Sequence, residues 1–403
     1  MRHVLAVLLI LGSSVPLRAY SVLTHEAIID QNWPNGISPL LLARFPGTTD
    51  AELKEAHAYA YGGAILQDMG YYPFGSKLFS DLLHYVRSGD YVMALLRDSQ
   101  DVNEYAFALG ALAHYAADNA GHPIAVNRAV PMMYPKLRTK FGADVTYEDN
   151  PAAHLRTEFG FDVIEVARGK YASETYHDFI GFKVSKPLME RAFEDTYSIP
   201  LKSLFKDLDL ALGTFRFTVS QVIPEMTKTA WSAKKKQIQE LEAGMSRKKF
   251  VYRISRASYN KEWDSKYEKP GFGARLLAFL FRIVPKIGPF KALAFRVPTP
   301  EVEKIFITSF DNTKEQYRLL LVEVKEGRLQ LQNENFDIGR PTVRGDYKMA
   351  DESYSKLLDR LDKVTVSTEL RSNIIAFYGD SEGPESPKAR TVLSGLKETP
   401  AAP

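Results

Sequence analysis

With no cysteine among its 403 residues, the chain can form no disulfide bridge and offers no thiolate ligand or thiolate nucleophile. It also lacks an apolar run suited to a membrane span: the run from Val4 to Leu11 falls far short of the ~20 residues a spanning helix needs. Neither sign of charge is in excess. The 52 Lys and Arg and 49 Asp and Glu give a formal charge of +3, a balance that does not suit a dedicated nucleic-acid binder. Histidine is missing after His177, which confines any imidazole chemistry to the first half of the chain.

What is present begins with MRHVLAVLLILGSSVPLRA, a basic start, an apolar stretch and small or turn residues before Ala19. This reads as a secretory signal peptide over residues 1–19, leaving Tyr20 as the amino terminus of an exported protein, periplasmic or secreted. An uncleaved anchor is the alternative, and with it association with the membrane. An exported chain without disulfides must be held by core packing or by metals. The remaining seven histidines lie between His25 and His177, so a metal-bearing or catalytic region over 20–235 is expected, followed by a region with another task over 236–378. The Pro-, Ser-, Gly- and Glu-containing tail, 379–403, reads as disordered.

Along the chain the periodicity is that of helices, since strand-like alternation is scarce and turn signals separate long periodic segments. Thr24 suits a helix cap ahead of His25 and Glu26. Ala51 to Leu66 reads as a helix whose Gly62-Gly63 pair permits a close approach, and the turn-rich QDMGYYPFGS follows with Asp68 in it. Phe79 to Leu96 reads as one helix carrying His84. Glu104 to Asn127 reads as a buried helix, bent or ended by Pro123, in which His114, Asp118 and His122 recur every fourth residue and share one side. Residues 128–150 read as mostly loop. Ala152 to Ala167 sets His154 and Glu158 one turn apart. Further helices are expected over Lys186 to Asp195 and Leu201 to Gln239. The segment 272–296 mixes apolar runs with Arg275, Arg282, Lys286, Lys291 and Arg296; it suits either a bilayer surface or a helical pair packed on the main domain. Short alternating runs within 301–346, FITSF, YRLLLVEV and RLQLQ, read as a few strands. The fold class is therefore mainly α, with an α+β extension at the carboxyl end.

Buried imidazoles and carboxylates are costly unless paired or holding a metal. On the residues alone, His114 and His122 bonded to Asp118 in a core is the alternative to a metal site. Imidazole with carboxylate and no thiolate suits Zn²⁺ at a hydrolytic site better than a closed structural one. The collected candidates are Tyr20, His25, Asp68, His84, His114, Asp118, His122, His154 and Glu158.

Their order resembles the zinc-dependent phospholipase C family, whose fold is shared with fungal single-strand-specific nucleases. Tyr20 stands at the family's amino-terminal aromatic and His25 at the histidine near it. Asp68 in GGAILQDMG, His84 in DLLHY, LAHYAADNAGHPIAVN from Leu112 to Asn127, and the pair His154 and Glu158 match the later motifs. The resemblance covers roughly residues 20 to 235. It implies three zinc ions: one among Asp68, His84, His114 and Asp118, one among His122, His154 and Glu158, and one held by Tyr20, His25 and Asp118. It also implies in-line attack of metal-activated water on phosphorus, with Asp68 orienting or deprotonating the water.

Two features depart from the family pattern. His122 precedes Pro123, where the family's histidine follows the proline, so either the backbone is remodelled there or the second ion is weakly held. The amino-terminal aromatic is Tyr rather than Trp. The activity so implied is phosphodiester hydrolysis, with phospholipid as the expected substrate and a membrane surface as partner through 272–296. The alternatives are a single-strand nuclease, in which Tyr71 and Tyr72 would serve as base platforms and nucleic acid as partner, and a non-catalytic zinc-binding surface or lipid-binding protein.

Overall fold

The computed structural model describes residues 22–168, 182–219 and 295–398 apart from 382, with the short stretches 230–231, 234–240, 244–248 and 250. The described chain is mainly helical. Its centre is α6, reached after α1 (Val22–Asn32), α2 (Ser38–Arg44), α3 (Asp50–Ile65), α4 (Lys77–Tyr85) and α5 (Ser88–Asp98). Helix α6 spans Val102–Gly121 and is buried on every side except at Val102, Asn103 and Asn119, as its apolar composition requires. Asp101 caps it, accepting from the N–H groups of Asn103 and Glu104 at 2.9 Å each.

Helices α3 and α6 lie almost backbone to backbone. A Cβ on Gly63 would come within 1.9 Å of the Phe107 carbonyl oxygen, and one on Gly110 within 2.0 Å of that of Ala60. The two glycines thus set the spacing that lets His114 of α6 reach across to α3. A capping box of Thr49 and Glu52 fixes the start of α3.

The expected single helix over Phe79 to Leu96 is two. Arg87 takes a left-handed conformation (φ 52°), its guanidinium donating to the Thr196 carbonyl at 2.7 Å, and Tyr197 donates to the Val86 carbonyl at 2.7 Å. This break leaves His84 in the last turn of α4. Thr24 lies inside α1 and donates to Asp162 Oδ1 at 2.9 Å instead of capping. After α6, residues 128–150 contain α7 (Asn127–Met133) and α8 (Pro135–Phe141) where loop was expected. Helices α9 (Pro151–Arg168), α10 (Lys186–Tyr197) and α11 (Leu208–Phe217) follow, the last capped by Asp207 instead of continuing from Leu201.

The strands expected over 301–346 are replaced for most of that length by α12, Pro300–Lys325. Its buried residues Val302, Phe306, Ser309, Thr313, Tyr317 and Leu321 recur every three or four positions, so the long helical period overrides the brief alternation of YRLLLVEV. Helix α12 lies along α6: Tyr317 donates to the Leu109 carbonyl at 2.9 Å and Ser309 to that of Ala120 at 3.2 Å. The strand pairing present here is two residues long, β1 (Glu334–Asn335) with β2 (Arg340–Pro341), antiparallel. Helices α13 (Lys348–Arg360), α14 (Thr368–Tyr378) and α15 (Pro387–Glu398) complete the chain. The last replaces the expected disordered tail, because Ala389 and Leu393, one turn apart, are both buried and Ser386 accepts from the Ala389 N–H at 3.3 Å.

Most of the expected bilayer-facing segment, 272–294, lies outside the described residues, as do Tyr20 and His177. Its last two residues are described. Phe295 is buried edge-on against Phe159 at 5.4 Å, and Arg296 donates to the Met133 carbonyl and lies over Tyr134, so both belong to the helical core. Among the described residues no helix is long and apolar enough to cross a membrane.

Candidate metal centre

His25 of α1, Asp68 of the short helical turn Leu66–Tyr71, His84 of α4, His114 and Asp118 of α6, His122, and His154 and Glu158 of α9 converge below the surface, none more than 3 % exposed. Asp118 is the hub. One of its oxygens lies 3.1 Å from His114 Nε2, 3.5 Å from His84 Nε2 and 3.9 Å from His122 Nε2; the other lies 3.5 Å from His25 Nε2. Asp68 Oδ1 stands 3.5 Å from His84 Nε2, and His154 Nδ1 stands 3.7 Å from Glu158.

Backbone carbonyls aim the imidazoles. His84 Nδ1 donates to the Ser80 carbonyl at 2.8 Å and His114 Nδ1 to that of Ala64 at 2.9 Å, which leaves each Nε2 facing the centre as a lone-pair donor. His154 Nε2 bonds the Val145 carbonyl, turning its Nδ1 toward Glu158. His25 stacks on His114 with ring centroids 4.5 Å apart.

At His122 the helix does not break at Pro123. Residues His122–Val126 form a π-helical turn in which the Asn127 N–H donates to the His122 carbonyl, while the His122 N–H still donates to Asp118. The wider turn accommodates the proline and keeps His122 on the Asp118 side of the helix, its ring 5.9 Å from that of His154.

The donor atoms fall into three groups, each within 4.8 Å: His25, His114 and Asp118; Asp68, His84 and His114; His122, His154 and Glu158. Asp68 Oδ1, the Nε2 atoms of His84, His114 and His122, both oxygens of Asp118 and Glu158 Oε1 are buried and make no hydrogen bond. A core cannot bear so many bare donors at a free-energy cost of several kcal/mol each, whereas divalent cations would satisfy all of them. The all-nitrogen-and-oxygen donor set fits Zn²⁺.

Without metal, the buried groups perturb one another in both directions. Burial alone would raise the Asp118 carboxyl, but the imidazoles of His114, His84 and His122 hold it well below the usual range. Burial opposes charge on His84 too, yet Asp118 and Asp68 beside it carry it up to about 10. Burial and the neighbouring His114 drive His25 down to about 3. Glu158 is pushed up by burial and by the other carboxylates, and Asp68 is raised chiefly by burial.

His57, the described histidine outside the cluster, bonds Asp30 at 3.1 Å and stacks on Trp33. Of the aromatics beside Asp68, Tyr71 and Tyr72 are buried, Tyr71 donating to Asp81 at 3.1 Å and Tyr72 packing on Phe215, while Phe74 is exposed. Sequence reasoning missed two residues at the centre. Phe336 lies against the rings of His84 and His114, and Asp337 Oδ1 is 3.8 Å from His122 Nε2. Both sit in NENFDIGRP, whose Asn, Asp and Gly mark a turn but carry no donor spacing that would have linked them to the histidines.

The helical scaffold thus encloses three adjoining groups of imidazole and carboxylate donors, each of which could hold a metal ion. The family model described as zinc dependent phospholipase C matches residues 24–207, and over that stretch the chain resembles this family. All eight described candidate ligands fall inside the match; Phe336 and Asp337 fall outside it. Comparisons with curated proteins and with solved structures returned no match.

Proposed function

We propose that the protein hydrolyses phospholipids in the manner of a phospholipase C, cleaving the phosphodiester on its glycerol side to release diacylglycerol and a phosphorylated headgroup. The observation that carries this reading is the convergence of the buried, unbonded donors of Asp68, His84, His114, Asp118, His122 and Glu158 within a zinc-dependent phospholipase C domain. In this reading Asp68, His84, His114 and Asp118 hold one zinc and His122, His154 and Glu158 a second. His25 and Asp118 hold a third together with the Tyr20 amine.

When bound, the ions supply Lewis acidity that lowers the pKa of water and draws charge from phosphoryl oxygens. The chain's own groups do the rest. Asp68 is buried beside His84 with a raised carboxyl, which suits it to orient the attacking water and take its proton. The carbonyl-anchored rings of His84 and His114 keep their geometry fixed through the reaction.

Burial of Tyr71 and Tyr72 favours lipid over single-stranded nucleic acid, because unstacked bases need exposed aromatic platforms beside the metals. The segment 272–294, basic and apolar, is proposed to rest on the bilayer, in keeping with export of the protein. The test uses protein beginning at Tyr20. Zinc content is measured by elemental analysis, and the same sample is assayed on phosphatidylcholine vesicles and on single-stranded DNA. Bound zinc with release of phosphocholine is expected; cleavage of DNA alone would move the reaction to nucleic acid, and bound zinc with neither cleavage would leave a binding protein.

A further inference from the structure

Beyond the family domain, the loop between β1 and β2 enters the metal centre. Asp337 is fully buried, and its Oδ1 lies 3.8 Å from His122 Nε2. Two ligands bound to one zinc at about 2.0–2.2 Å each are separated by roughly 3–4 Å, the spacing seen here. Its other oxygen, Oδ2, accepts from Tyr85 at 2.8 Å and from Tyr347. These two phenols, one from α4 and one just ahead of α13, orient the carboxylate with Oδ1 toward His122.

The backbone around Asp337 is anchored as firmly as the side chain. Asn127, at the end of the π-helical turn that carries His122, donates to the Asp337 carbonyl at 2.8 Å, and the Asp337 N–H donates to Asn335 at 3.0 Å. The Phe336 N–H donates to the His84 carbonyl at 3.2 Å. Gly339, at φ +61°, lies so close to α6 that a Cβ there would come within 2.4 Å of the Asn119 carbonyl oxygen. A loop tied at this many points to the carriers of His84 and His122 is built to deliver one carboxylate to one place.

We propose that Asp337 is a further zinc ligand, completing the ion held by His122, His154 and Glu158, so that the carboxyl-terminal region is part of the metal centre. The inference rests on the zinc-dependent reading above and adds to it a donor from outside the family domain.

The test is Asp337→Asn in the full mature chain, read by zinc stoichiometry after dialysis at fixed free zinc and by competition with a chromogenic chelator. The expected result is a loss of more than about 100-fold in affinity for one zinc, with the others retained, since loss of an outer-shell partner alone costs roughly 10- to 100-fold. Melting temperature is measured with zinc and with chelator. A ligand role predicts that Asp337→Asn lowers the melting temperature of the zinc-loaded protein far more than that of the metal-free protein. Unchanged zinc affinity, or an equal drop in both states, would show a merely structural anchor and overturn the inference. A wild-type protein that binds no zinc would refute the metal-centre reading itself.

Discussion

Replacing Asp118 by Asn probes the hub of the centre with almost no change of shape. The carboxylate is fully buried and faces His114 at 3.1 Å, His25 and His84 at 3.5 Å each, and His122 at 3.9 Å. Those imidazoles overcome burial to keep it ionised, so the variant removes a charge around which four elements are arranged. Losing this charged ligand should weaken zinc binding by more than about 100-fold, beyond the roughly 10- to 100-fold that loss of an outer-shell partner costs. Zinc content after equilibrium dialysis should fall below that of the wild type, and hydrolysis should fall with it. An Asp118→Asn protein that keeps wild-type zinc content and affinity would refute the placement of metals at this hub.

Four further outcomes are expected. Zinc binding should release protons: in the metal-free protein His84 is held protonated up to about 10, so the metal must displace that proton, whereas His25, driven down to about 3, is already neutral. Apparent affinity should therefore rise with pH through the neutral range, and titrations in two buffers of different ionisation enthalpy should give a proton count above zero; a count of zero would contradict the assignment. Asp68→Asn should lower kcat on phosphatidylcholine by about 10²- to 10⁴-fold with a smaller effect on KM, as loss of a general base does. Gly63→Ala places a methyl 1.9 Å from the Phe107 carbonyl, and calorimetry should show destabilisation of about 1–3 kcal/mol or more as α3 and α6 are forced apart. His57→Ala should cost only about 0.5–1.5 kcal/mol, the value of its bond to Asp30, and leave zinc content unchanged, because His57 stands outside the cluster.

What the sequence alone determined is whatever a single helix carries within itself. The four-residue spacing of His114, Asp118 and His122, and of His154 and Glu158, places them on common faces whatever the rest of the chain does, because the helical repeat is intrinsic to the backbone. The apolar composition of α6 likewise made its burial legible, and the Gly62-Gly63 pair announced a close approach before its partner was known.

Only the tertiary structure decided how separate elements meet. The left-handed Arg87 that splits α4 from α5 is held by contacts with α10, more than a hundred residues away; the Ser88-Gly89 pair after it is a turn signal but does not by itself choose a break over a tolerated glycine. The π-helical turn at His122 owes its outcome to packing that outweighs the breaking tendency of Pro123. FITSF and YRLLLVEV alternate over a few residues, but the buried stripe of α12 runs from Val302 to Leu321 along α6, and burial of that stripe settles the conformation. Asp337 is the furthest case. It approaches His122 across 215 positions of chain, a proximity fixed by the path of α12 and by the tyrosines, asparagine and glycine that hold its loop. Contacts of that separation arise from the assembled core, where each element's buried face selects its neighbour.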